Sequence, residues 1–170
     1  MERGVDVGAE VDIALLFGYI GSVRLSTQAD YAVRAVYELA RREPGEVVPT
    51  ETIAATQGIP GSRLTKVLQH LARADLVRTY RGSGGGVALA RSPAQITVRQ
   101  VYEAVEGPVL LCRCHQRTGP CGDRPCGTHD FWEGVESLLV RELDATTFAA
   151  LVRRARRGAT GAAADRAGRR

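Results

Sequence analysis

The stretch from residue 50 to residue 91 constrains the fold more than any other part of the chain. It opens with "PTETIAATQG", a short helical segment with Thr50 as its expected cap and Gly58 as its stop. "IPGSRLTKVLQHLARADL" follows, with Leu64, Val67, Leu68, Leu71 and Ala72 on one stripe of 3.6-residue period and Ser62, Arg63, Thr65, Lys66 and Gln69 off it. Then "LVRTYRGSGGGVALAR" reads as strand, glycine-rich turn and strand, a β-hairpin. Two helices joined by a short glycine-containing turn, the second with a polar and basic outer face, match the helix-turn-helix plan, and the hairpin adds a wing.

Flanking segments extend the pattern. "STQADYAVRAVYELARRE" is expected to be a helix with Ala32, Val33, Val36, Leu39 and Ala40 inside, Thr27 as N-cap and Asp30 completing a capping box, and "EPGE" stops it. "ITVRQVYEAVEG" is another, from N-cap Thr97 to Gly107. "HDFWEGVESLLVREL" carries Trp132, Val135, Leu138, Leu139 and Leu143 on a stripe that nothing else in the chain is left to cover, which suggests a dimer interface. The fold class is therefore mainly α with a small β-hairpin: a winged helix-turn-helix domain plus a long dimerisation helix.

Residues 1–22 lack a clear period and are expected outside the fold, with patterning beginning at Val23. The winged helix-turn-helix domain spans 23–107, a cysteine-rich loop 108–130, the dimerisation helix and a short last helix 131–157, and a basic disordered tail 158–170. No apolar run reaches membrane-spanning length, and "VDIALLFGYI" follows acids rather than bases, so neither a membrane span nor a secretory signal is expected. The expected compartment is the reducing cytoplasm.

Charge points to a polyanion. Residues 60–91 hold Arg63, Lys66, Arg73, Arg78, Arg81 and Arg91 against Asp75 alone. At the hairpin, Arg78, Arg81 and Ser83 would serve a backbone that the glycines allow to come close. A nucleotide phosphate fits this turn poorly, because the P-loop lysine and a following helix are missing. On the second helix Ser62, Arg63, Thr65 and Lys66 would meet base edges and phosphates, with Gln69 one turn behind and His70 facing the surface or a phosphate.

All four cysteines, Cys112, Cys114, Cys121 and Cys126, lie within fifteen residues, interleaved or followed by His115 and His129. In a reducing compartment such a cluster reads as a metal or redox site before a set of disulfides. The spacing does not give the two close ligand pairs of a structural zinc finger, and the layout favours iron–sulfur over zinc. The segment is poor in apolar residues and cannot fold by burial alone. As a thiol enzyme, with His115 or His129 as base, it lacks an orienting acid and an oxyanion pocket in recognisable context; no enzyme is expected.

From "VRLSTQADYAVRAV" through "RGSGGGVALAR" and "ITVRQVYEAVEGP" to "CGTHDFW", residues 23 to about 157 resemble the Rrf2 family of winged helix regulators. The resemblance implies a homodimeric transcription factor whose binding to a partly palindromic double-stranded DNA operator is controlled by the state of an iron–sulfur cluster that senses nitric oxide, redox or iron status. Cys114, Cys121 and Cys126 look like the family's cluster cysteines, with Cys112 competing for the first place. His129 matches the histidine of IscR-like members, which hold [2Fe-2S], and Asp30 the aspartate with which NsrR-like members reach [4Fe-4S] across the dimer. Each has a local alternative: Asp30 as a cap of its own helix, and His129 as the start of the dimerisation helix. A cluster-free member sensing through thiol oxidation or a small effector is the alternative.

Overall fold

The computed structural model describes residues 25–82, 84–111 and 127–167. The expectations for residues 1–22, Ser83, Cys112, Cys114, His115, Cys121 and Cys126 lie outside the described residues.

Helix α1 spans Thr27–Ala40 and buries Ala29, Ala32, Ala35, Val36 and Leu39. Its cap is Ser26 rather than Thr27: the Ser26 hydroxyl accepts the Ala29 amide at 3.0 Å and donates to Glu106 at 2.6 Å. A partner eighty residues away thus decides between two adjacent hydroxyl residues. Asp30 does not close a capping box, because its carboxylate pairs with Arg34 at 3.3 Å.

Helix α2, Thr50–Gln57, starts at Thr50 and takes Pro49 as its cap, with no side-chain cap bond. Proline fixes φ there, and its carbonyl accepts the Thr52 and Ile53 amides. Gly58 ends the helix at φ +60°, the left-handed stop expected of it. Helix α3, Gly61–Arg73, buries Leu64, Val67, Leu68 and Leu71, as its period predicts, and half-buries Ala72.

Strands β1, Val77–Tyr80, and β2, Gly86–Leu89, form an antiparallel hairpin, with Val77 opposite Leu89 and Tyr80 opposite Gly86. Val48, just before α2, bonds both ways with Val87, each bond 2.8 Å, which docks the hairpin onto the helix-turn-helix.

After a 3-10 turn at Pro93–Gln95, helix α4 spans Val98–Glu106. Thr97 and Gln100 form the complete capping box, and Gly107 ends the helix at φ +81°. Helix α5, His129–Ala145, contains no buried residue. Helix α6, Phe148–Ala167, returns to the core through Phe148 and Val152.

The last helix is longer than expected: it continues to Ala167 through most of the segment assigned to a disordered tail. Four of residues 159–164 are alanine, the best helix former, which outweighs the glycines beside them. The core joins α1, α3, the hairpin, α4 and the start of α6 around Val36, Leu64, Leu71, Ile96 and Phe148. No described helix is long and apolar enough to cross a membrane.

Candidate nucleic-acid interface and cluster segment

The inner stripe of α3 is used up by the core, so its other residues are turned outward. Ser62, Arg63, Thr65, Lys66 and Gln69 are all exposed, and His70 is half-buried. Thr65 donates its hydroxyl proton to the Gly61 carbonyl at 2.9 Å, which leaves its oxygen as an acceptor toward the outside.

Between α3 and the hairpin lies an open groove of about 690 Å³, to which Thr65, Gln69, Arg81 and the turn glycines contribute. Arg78 and Arg81 are exposed on the hairpin. A polar helix face and a basic hairpin tip therefore flank one concave surface, the shape and charge that suit a sugar-phosphate backbone.

Sequence reasoning passed over several residues on this surface. Tyr80, 47% exposed, lines the groove. Thr27, Gln28 and Tyr31 of α1 share a small cleft with Arg63 and Lys66. For Tyr80 the signal was present: an aromatic between Arg78 and Arg81 in a strand whose burial stops after Val77.

The helix-turn-helix is braced from behind. Glu38 is 2% exposed, and its carboxylate accepts from Arg42 at 2.7 and 3.1 Å, from Arg41 at 3.3 Å and from the Gln57 amide at 2.9 Å. Arg34, paired with Asp30, also donates to the Gln57 carbonyl at the end of α2. Both contacts fix the helix-turn-helix against α1.

Asp30 and His129 stand at different ends of the chain's cysteine segment. The start of α1 is tied to the end of α4 by Ser26 with Glu106, and by the Gln28 amide, which donates to the Val105 carbonyl at 3.4 Å. Asp30 thus belongs to a helix end fixed beside the point where the chain leaves α4 for the cysteines.

His129 begins α5, and its nitrogen lies within 4.8 Å of carboxylate oxygens of Asp130 and Glu133. The Leu111 amide donates to Glu136 of α5 at 3.0 Å. Arg99 joins α4 to α5 through Asp144 at 2.8 Å; its bonds to Asp144 and Glu103 hold the guanidinium above its ordinary pKa. The segment is therefore bounded on both sides by anchored structure.

The chain matches the Rrf2 family, described as iron-dependent transcriptional regulators, over residues 25–154. It is 36% identical over 132 residues to a helix-turn-helix transcriptional regulator of Mycobacterium tuberculosis, covering 75% of this chain and 80% of that one. It is 33% identical over 130 residues to the transcriptional regulator IscR of Aliivibrio salmonicida, covering 76% and 77%. Among solved structures it is similar to T. potens IscR, with TM-score 0.66, 28% identity and coverage of 79% and 89%. It is also similar to CymR, the global cysteine regulator of B. subtilis, with TM-score 0.64, 25% identity and coverage of 76% and 96%. These relatives are named as regulators and not as enzymes, and they agree with a winged helix whose outward face is polar and basic: the chain belongs to the Rrf2 family of transcriptional regulators.

Proposed function

We propose that this regulator is a homodimeric repressor, binding a partly palindromic DNA operator through α3 and the hairpin, under the control of an iron–sulfur cluster. The observation that carries the reading is the position of the cysteine segment. It joins α4, which is tied to the α1 end that bears Asp30, to α5, whose apolar stripe is left uncovered.

Three or four thiolates, with the His129 imidazole and the Asp30 carboxylate as candidate further donors, form a donor set suited to [2Fe-2S] or [4Fe-4S]. Cys114 or Cys112, with Cys121 and Cys126, would hold the cluster, and Asp30 or His129 would complete it. When bound, the cluster supplies a site that nitric oxide, oxidants or iron shortage can alter. Residues 112–126 contain little to bury, so ligation is what would order them, and ordering would set the relation of the reading head to α5.

Ser62, Arg63, Thr65, Lys66 and Gln69 then read or anchor the major groove, while Arg78, Arg81 and Ser83 take the flanking backbone. Anoxic purification with iron and sulfide counted per dimer, for wild type, Asp30→Ala and His129→Ala, tests the reading. Stoichiometric iron in wild type, reduced in one of the two variants, is expected. Wild type without iron or sulfide overturns the cluster and leaves thiol oxidation or a small effector as the mode of sensing.

A further inference from the structure

A cavity of about 290 Å³ opens behind the hairpin, between the turn that follows α1 and the end of β2. It lies near the lower end of the size range of small-molecule sites. Leu39, Leu89 and Pro93 give it an apolar wall, and Arg91, Glu43 and Glu46 line it as well, Glu46 accepting the Glu43 backbone amide at 3.2 Å.

The fourth charged lining residue, Arg42, is already occupied by the buried Glu38 at 2.7 Å, and Glu46 stands 3.8 Å from it. Arg91 is different. Among the described residues it makes no hydrogen bond or ion pair, and its Nε is buried without a partner. A guanidinium keeps its charge at every physiological pH and presents five donors, so an unpartnered one beside a cavity calls for an acceptor from outside.

The occupant is defined by what the lining would reject. A simple carboxylate would meet Arg91 but also the two acids on the rim, and a simple amine would meet the acids but also Arg91. A zwitterion satisfies both signs. We propose that this cavity binds a small aliphatic α-amino acid, with its carboxylate on the terminal nitrogens of Arg91, its ammonium toward Glu43 and Glu46, and its side chain on Leu39, Leu89 and Pro93.

Such a ligand would act on DNA binding from the rear. The turn that carries Glu43 and Glu46 runs directly into Val48, which pairs with Val87, and then into α2; Arg91 follows β2. Filling the cavity would brace the wing against the helix-turn-helix. This goes beyond the cluster reading and does not depend on it.

The test is calorimetric titration of the full-length protein with L-leucine, with 4-methylpentanoate, which lacks the amine, and with 3-methylbutylamine, which lacks the carboxylate. Binding of leucine is expected, with each analogue roughly tenfold or more weaker, and Arg91→Met is expected to abolish it. Should Arg91→Met fail to fold, Glu43→Gln with Glu46→Gln must weaken leucine while sparing 4-methylpentanoate. The proposal is overturned if leucine does not bind at millimolar concentration, or if the variants bind leucine as wild type does. Iron counted in the same wild-type preparation separates this failure from failure of the cluster reading.

Discussion

Gly86 lies against the backbone of Val48 so closely that a β-carbon on it would stand 2.3 Å from the Val48 carbonyl oxygen and 2.7 Å from the carbonyl carbon. Neither atom belongs to a flexible side chain that could swing away. The close approach is what lets Val48 and Val87 exchange two hydrogen bonds and seat the wing beside α2. Gly86→Ala should force the strand off this seat and cost about 2–4 kcal/mol, from overpacking plus the two weakened bonds. Urea denaturation measures it, with Gly61→Ala, where a β-carbon meets nothing within 4 Å, as the control. A Gly86→Ala midpoint equal to that of the control would contradict the seating.

Glu38 is a buried acid that joins the first helix to the end of the second through Gln57. Removing one partner of a buried ionic group leaves the others unsatisfied; Arg42 is one-third exposed, so the loss is smaller than for a fully buried pair. Glu38→Ala is expected to destabilise by about 2 kcal/mol, and Glu38→Gln, which retains an acceptor for Gln57 or Arg42, by less. Thermal unfolding of both variants checks the order; equal midpoints for Glu38→Ala and wild type would show that the network adds nothing.

The Tyr102 phenol is raised above its ordinary value near 10, by burial first and by the Glu106 carboxylate second. A folded-state pKa above the unfolded one means that the unfolded chain loses its proton first as pH rises. The stability tied to the neutral phenol is thus whole below pH 10 and declines as the pH climbs from there through the raised value. Denaturation midpoints of wild type should fall more steeply above pH 10 than those of Tyr102→Phe, and parallel curves would remove Tyr102 as the cause.

The features legible in the sequence were those decided within a few residues of themselves. The stripe of Leu64, Val67, Leu68 and Leu71, the Gly58 stop and the Thr97 cap follow from local period and cap chemistry. Ser26 displaced Thr27 as a cap through Glu106, and Glu38 is buried because Arg42 and Gln57 converge on it; both depend on partners that only the fold assembles. The polar outward face was visible as the complement of the α3 stripe, whereas the cleft that sets Tyr31 beside Arg63 and Lys66 was not, since it forms where two distant helices meet. The readings of the four cysteines lie outside the described residues.

On the outward face of α3, Arg63 and Lys66 are exposed one turn apart beside Tyr31. A residue that meets only phosphate weakens all sequences alike and lowers the salt slope by about one when it is removed, whereas one that meets a base edge costs about 1–3 kcal/mol at its own base pair. Fluorescence anisotropy with operator and scrambled duplexes at several salt concentrations separates the two roles for Arg63→Ala and Lys66→Ala. Both substitutions should weaken operator binding several-fold, and Arg153→Ala, on α6, should have less effect. Unchanged affinity in both would take α3 out of the groove.

Helix α5 buries nothing in the single chain, although Phe131, Trp132, Leu138 and Leu139 are 62%, 39%, 59% and 39% exposed on it. Such a stripe needs a cover, and a second copy of the same helix offers a matching one through a two-fold axis. Each leucine removed from the interface is then lost twice, at about 1.5–3 kcal/mol per side chain. Leu138→Glu should therefore raise the dimer dissociation constant by about two to four decades. Its helical circular dichroism should match wild type, because Leu138 supports no core within its own chain. Sedimentation velocity across a dilution series decides the matter. A wild type that sediments as a monomer at every concentration, or a Leu138→Glu variant that remains dimeric at the lowest, would assign the stripe another cover.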